Sequence, residues 1–213
     1  MTNKHNTLLI MMLAFLIMTG WSTVAKEAKR KSESVLFDWT FKTGDALYAT
    51  PLVRDATIYF GSRDSYFYAL DSRNGQEKWR FKTEQPIHST ACAYRDRVYF
   101  ESGNTLYSLS ESGKLIWKAR LFSGNLTNQI DEWDFHHSSP LIHQEIVYVG
   151  TEKGSMLGYD WNSGKQVFRT QTEEQDPIRT TPVIQKDRIF FGSWEGVFYC
   201  YDLKSRQQLW RYD

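Results

Sequence analysis

Four side chains with donor or proton-exchanging chemistry recur at matched places along this 213-residue chain. They are Tyr48, His88, His137 and Arg179, in the triplets YAT, HST, HSS and RTT, spaced 40, 49 and 42 residues apart. Each stands just before a short apolar run, and Ser or Thr residues follow most of them. If the four lie at one level, they make a ring of hydrogen-bonding groups able to receive an anionic or polar part of a ligand. Imidazole exchanges its proton near neutrality, so binding there is expected to fall across about pH 6–7.5. The competing expectation is that these residues tie neighbouring structural units together by local hydrogen bonds.

A second candidate is the stretch from Leu121 to His136, LFSGNLTNQIDEWDFH, which lengthens the middle spacing by about nine residues. It must project as a loop, and loops that depart from a rigid scaffold tend to carry function. Asp131, Glu132, Asp134 and His136 are metal-ligand types, but a metal needs three or four convergent ligands and neighbours on one loop rarely converge. Asp131, Trp133, Asp134, Phe135 and His136 are expected to contact a partner, with an inert packing loop as the alternative, and no metal is expected. Two cysteines, Cys92 and Cys200, fall in different repeats, two units apart, and are expected to remain unpaired. There is no CxxC, HExxH, serine-hydrolase constellation or glycine-rich phosphate loop.

The elements that must position these residues are repeats. IYFG at Ile58–Gly61 returns as VYFE at Val98–Glu101, VYVG at Val147–Gly150 and IFFG at Ile189–Gly192. FYALD at Phe67–Asp71 returns as LYSLS at Leu106–Ser110, LGYD at Leu157–Asp160 and FYCYD at Phe198–Asp202, and Trp79 is matched by Trp117, Phe168 and Trp210. Short aromatic and β-branched runs bounded by Gly, Asn, Asp and Ser are consecutive antiparallel strands. Four strands per period of roughly 40 residues is the pattern of propeller blades. The expected fold is all-β, with four-stranded blades at about 48–81, 88–118, 137–169 and 179–211. LFDWTF at Leu36–Phe41 repeats the fourth-strand pattern, so the chain is expected to open with the last strand of a blade. The last unit already has its own fourth strand, leaving no vacancy for that segment. The expected result is an open arc of four blades with aromatic faces at both ends.

The unit TPL…IYFGSxD…FYALDxxxGxxxWRF resembles the PQQ-like, or quinoprotein, β-propeller repeat over about residues 36–213. That family holds quinoprotein alcohol dehydrogenases and a non-catalytic lipoprotein that assists insertion of outer-membrane β-barrels. The dehydrogenases carry a quinone, a calcium ion and often adjacent cysteines, none of which can be carried over to residues here, so no cofactor and no catalytic residue is expected. The repeat also has departures: Ala91 for Pro, Glu101 for Gly, Ser110 for Asp, Phe168 for Trp, and Arg206 for the turn glycine.

The N-terminus has Lys4, the apolar run Leu8–Met18 and the small-residue exit Ser22–Ala25. This is the layout of a secretory signal peptide over 1–25, with 26–35 as a tail. Trp21 stands where a lipoprotein signal needs cysteine, so no lipid anchor is expected. Net charge is +1, with 26 basic and 25 acidic residues interspersed, which gives no electrostatic footprint for nucleic acid. The sequence thus describes a periplasmic or secreted, non-enzymatic propeller. It would act as a binding or assembly scaffold for a protein or cell-envelope partner, self-association included. A fragment of a PQQ-dependent dehydrogenase is the alternative.

Overall fold

The computed structural model describes residues 38–124 and 137–213. The signal segment, the tail and the proposed partner loop, with Asp131, Trp133, Asp134, Phe135 and His136, lie outside the described residues. The chain divides at Thr40/Phe41, and the repeats all belong to the second unit.

Among the described residues, sixteen strands make four antiparallel sheets of four. Blade A comprises β1 (Leu52–Arg54), β2 (Thr57–Gly61), β3 (Tyr66–Asp71) and β4 (Glu77–Lys82). Blade B comprises β5 (Cys92–Tyr94), β6 (Arg97–Ser102), β7 (Thr105–Ser110) and β8 (Leu115–Arg120). Blade C comprises β9 (Leu141–His143), β10 (Ile146–Gly150), β11 (Ser155–Asp160) and β12 (Gln166–Gln171). Blade D comprises β13 (Val183–Gln185), β14 (Arg188–Gly192), β15 (Phe198–Asp202) and β16 (Gln208–Tyr212). Sequential strands pair in every blade. The opening segment differs from expectation: its described residues 38–41 form no strand, although the Phe41 ring packs edge-on against Phe60 and Tyr68.

The second and third strands are nearly continuous apolar runs because both faces of a middle blade are covered. Phe67 and Phe100 show the result: their rings stack at 3.9 Å and 5° across the A–B junction, both fully buried. Burying such a ring contributes about 1.5–3 kcal/mol. Three core clusters follow, one each between A and B, B and C, and C and D. Among the described residues no cluster joins D to A, so the blades form an open series.

All four blades share one irregularity, a register shift between the third and fourth strands, at Ala69/Leu70, Ser108/Leu109, Gly158/Tyr159 and Cys200/Tyr201. It directly precedes the turn that joins them, and a bulge there sharpens the blade's twist. The turn acids bond their own backbones: the Asp71, Asp160 and Asp202 carboxylates accept from the amides of Arg73, Ser163 and Ser205. Asp64 accepts from the amides of Gly44 and Tyr66 and from the Tyr68 hydroxyl. Cys92 and Cys200 are both free thiols.

Candidate functional site

The segment leading into each first strand is fixed by hydroxyls. Ser89 accepts from the Glu101 amide and donates back to the Glu101 carbonyl. Ser138 accepts from the Gly150 amide, and Thr180 from the Gly192 amide. So the residue after each of His88, His137 and Arg179 pins that segment to the end of its own blade's second strand. Ala49 lacks the hydroxyl to do this for Tyr48. The next hydroxyl along reaches sideways: the Thr50 amide donates to Thr90 and the Thr90 amide to Ser139. Two small polar residues thereby set both the height and the blade-to-blade stagger of the side chain before them.

The structure brings all four sequence-predicted residues together. Tyr48, His88, His137 and Arg179, with Thr90, Ser139 and Thr181, line one cavity of about 380 Å³. The Tyr48 and His88 rings meet edge to face at 5.9 Å, and the His88 and His137 ring centres are 5.3 Å apart. A larger hollow of about 750 Å³ lies elsewhere, lined by Glu84, Asn104, Tyr107, Lys118 and Arg120. It gathers none of the four.

Behind the cavity wall the ring residues are engaged with partners that sequence reasoning had not assigned. His137 Nδ1 of blade C lies 3.2 Å from Glu101 Oε2 of blade B, both side chains at most 5% exposed. The Arg179 guanidinium of blade D grips Glu152 of blade C in bidentate fashion at 2.9–3.2 Å. Its other side lies over the Trp194 ring at 4.3 Å. Burial pushes the Glu152 carboxyl up to about 7. A two-pronged guanidinium opposes that, and at these distances the geometry decides for the ionised pair. Burial disfavours charge on His137 as well, but Glu101 outweighs it and holds the imidazolium up to about 9.

At His88 the balance runs the other way. Burial, with the charges of His137 and Arg63 added, pushes it down to about 4. The expected fall of binding across pH 6–7.5 therefore loses its premise: His88 is neutral and His137 charged throughout that window. The unequal fates of two like residues come chiefly from the Glu101 carboxylate, which faces His137 and is seconded by Glu152. The signal for Glu101 was present in the sequence as the one second-strand motif whose closing Gly was replaced. Glu152 and Arg63 follow the second-strand motif in a loop and carried no such signal.

Comparison with known proteins agrees with the repeat reading. Residues 31–212 match the family model described as outer membrane protein assembly factor BamB. Among curated proteins, the outer membrane protein assembly factor BamB of Yersinia pestis is 23% identical over 139 residues, 62% of this chain and 35% of that protein. The quinohemoprotein alcohol dehydrogenase ADH-IIG of Pseudomonas putida is 24% identical over 162 residues, 63% of this chain and 21% of that protein. The crystal structure of BamB from Moraxella catarrhalis superposes with a TM-score of 0.69 at 18% identity, covering 82% of this chain and 52% of that one. The chain thus spans about a third to a half of the length of the BamB proteins it matches.

Proposed function

Because the chain belongs to the BamB family of PQQ-like repeat propellers, we propose that it is an exported, non-enzymatic scaffold. The mouth of its cavity, ringed by Tyr48, His88, His137 and Arg179, receives a polar or anionic group of an envelope protein partner. The observation that carries this reading is the single cavity that the four residues line together with Thr90, Ser139 and Thr181. His137 and Arg179 are committed to Glu101 and Glu152, and His88 is held neutral, so the mouth has no imidazole poised to exchange a proton near pH 7. A general base works best with a pKa near the operating pH. What the mouth offers instead is preorganised hydrogen bonding around a cavity, which suits recognition.

Kinship with a quinohemoprotein dehydrogenase supplies the rival reading. Against it stands the use of the turn carboxylates, which bond their own backbones. Among the described residues, no cluster of three or more metal-ligating side chains occurs.

Two experiments test the proposal. Purified protein given PQQ, calcium and a panel of alcohols and aldoses should reduce no dye beyond the protein-free control; stoichiometric PQQ uptake with dye reduction would replace the scaffold reading. A photo-crosslinking residue at Tyr48, in protein expressed with its own leader in a Gram-negative host, should capture an envelope protein. Adding His88→Ala and Arg179→Ala should abolish that crosslink while the circular dichroism of the folded chain is kept. An undiminished crosslink in the folded double variant would remove the ring from the binding site.

A further inference from the structure

Two residues along from His88, His137 and Arg179 the cavity has a second tier of side chains. Thr90, Ser139 and Thr181 supply one hydroxyl each from blades B, C and D. A hydroxyl gives one proton and accepts two. When its oxygen accepts from a backbone amide, its own proton still needs a place. The hydroxyls that pin the lead-in segments have such a place: Ser89 donates to the Glu101 carbonyl, Ser138 to the Thr180 carbonyl and Thr180 to the Gly192 carbonyl. Thr90 and Ser139 differ. Their oxygens accept from the Thr50 and Thr90 amides at 3.0 and 2.9 Å, and among the described residues no acceptor takes the proton of either. Both side chains line the cavity, so those two O–H groups are left to it.

His137 adds a third donor. Its Nδ1 faces the Glu101 carboxylate at 3.2 Å, and that carboxylate keeps the ring protonated, so Nε2 carries a hydrogen too. The two N–H bonds of an imidazolium diverge, and Nε2–H points away from Glu101. The ring lines the cavity, and among the described residues Nε2–H has no acceptor. Acceptors nearby are already taken: Glu101 faces His137, and Glu152 is held by Arg179. The field in the cavity is positive as well, since at His88 the charges of His137 and Arg63 each outweigh that of Asp45. Three donors in a positive field call for a group made of acceptors. A carboxylate is that group: it has four lone-pair sites on two oxygens and draws charge-assisted hydrogen bonds.

We propose that the mouth is a carboxylate-binding site, with the Thr90 hydroxyl, the Ser139 hydroxyl and His137 Nε2–H as its donors. This rests on the mouth being where the partner binds, and it names the group that the partner brings: an acidic side chain or the carboxylate of a chain end. About 380 Å³ leaves room for either. Glu101 is a positioning residue here, since it acts through His137.

The test titrates the purified full chain, by calorimetry, with two pairs of short peptides. One pair sets a blocked aspartyl peptide against its asparaginyl isostere. The other sets a free C-terminal carboxylate against the same peptide as its amide. In one pair the carboxylate should bind about tenfold tighter than the amide, and the pair that shows this identifies the source of the group. Thr90→Val with Ser139→Ala should erase that preference, and Thr90→Ser with Ser139→Thr, which keep both hydroxyls, should retain it. Equal binding of carboxylate and amide in both pairs would overturn the proposal. So would a preference that survives in the folded hydroxyl-free variant, or no binding by either carboxylate. The comparison within each pair needs no substitution, so it decides even where the hydroxyl-free variant does not fold. The Tyr48 crosslink separates the two failures. A crosslink that still forms without a carboxylate preference leaves the mouth as the partner's site and removes only the carboxylate, whereas loss of both removes the mouth.

Discussion

The seams between blades have an inner edge, beside the cavity, and an outer edge, at the fourth strands, and the two are closed by different physics. At the outer edge the contact is apolar and local: an indole on a glycine with one hydrogen bond, Trp79 on Gly113 at A–B and Trp117 on Gly164 at B–C, with Phe168 and Arg206 in their places at C–D. At the inner edge A–B uses shape, with Ile87 seated over Gly61, where a Cβ would lie 2.1 Å from Ile87 Cγ2. B–C uses charge instead, Glu101 against His137. C–D uses both, with Ile178 over Gly150 and Arg179 on Glu152. The sequence shows the exchange: Ile precedes His88 and Arg179, whereas His136 precedes His137, and that is the junction where the motif glycine is gone. The lesson is that one repeat tolerates either solution, provided both blades of a junction change together.

Breaking the charged junction is expected to have the largest effect. Glu101→Ala leaves the His137 imidazole buried without its partner and should cost about 3–5 kcal/mol at pH 6, read from urea unfolding. The pH dependence has a definite sign. The folded pKa of His137 lies above its ordinary 6.5, so its contribution is fully present below about 6.5 and lost as pH climbs through about 9. Glu101→Gln should flatten the stability profile between those values. A profile as steep as the parent's would mean that the pair is not coupled.

The shape-closed inner edge comes next. Gly61→Ala drives a methyl group into Ile87 and should cost about 1–3 kcal/mol. Gly192→Ala in blade D meets nothing closer than the Thr180 methyl at 3.4 Å and should cost less than half as much. Equal losses at both sites would show that backbone freedom, and not the neighbouring blade, sets the need for glycine.

At the outer edge the effects are smaller. Trp117→Phe removes one hydrogen bond and part of a ring, a loss of about 0.5–1.5 kcal/mol. Phe168→Trp combined with Arg206→Gly should install at C–D the lock that A–B and B–C carry. Measured as a double-mutant cycle, the two changes should couple favourably by about 0.5–3 kcal/mol. Additive effects would mean that the tryptophan and the glycine act independently.

The buried neutral histidine acts only on the acid side. His88 binds its proton less readily folded than unfolded, so stability should decline as pH falls from about 6.5 towards 4. His88→Asn should lessen that decline without altering the alkaline limb governed by His137.

The repeat determined by itself the fold class, the four blades, the second- and third-strand motifs and the common level of Tyr48, His88, His137 and Arg179. A position repeated at the period of a rigid unit must return to the same height in each copy, so no knowledge of packing was needed. The turn acids were equally legible, since an Asp at the head of a tight turn bonds its own backbone wherever the turn is placed. Departures from the repeat were visible as letters without meaning. Glu101, Phe168 and Arg206 took on roles only in the tertiary structure, because each is explained by a residue of the adjacent blade, roughly 35–40 positions away with no local pattern linking them. The protonation of the two histidines was likewise beyond the sequence. His88 and His137 occupy the same repeat position, but the Glu101 carboxylate folded against His137 makes it a cation, while burial and the nearby charges of His137 and Arg63 keep His88 neutral. Local periodicity fixes where a side chain stands, and the packed neighbour fixes what charge it carries there.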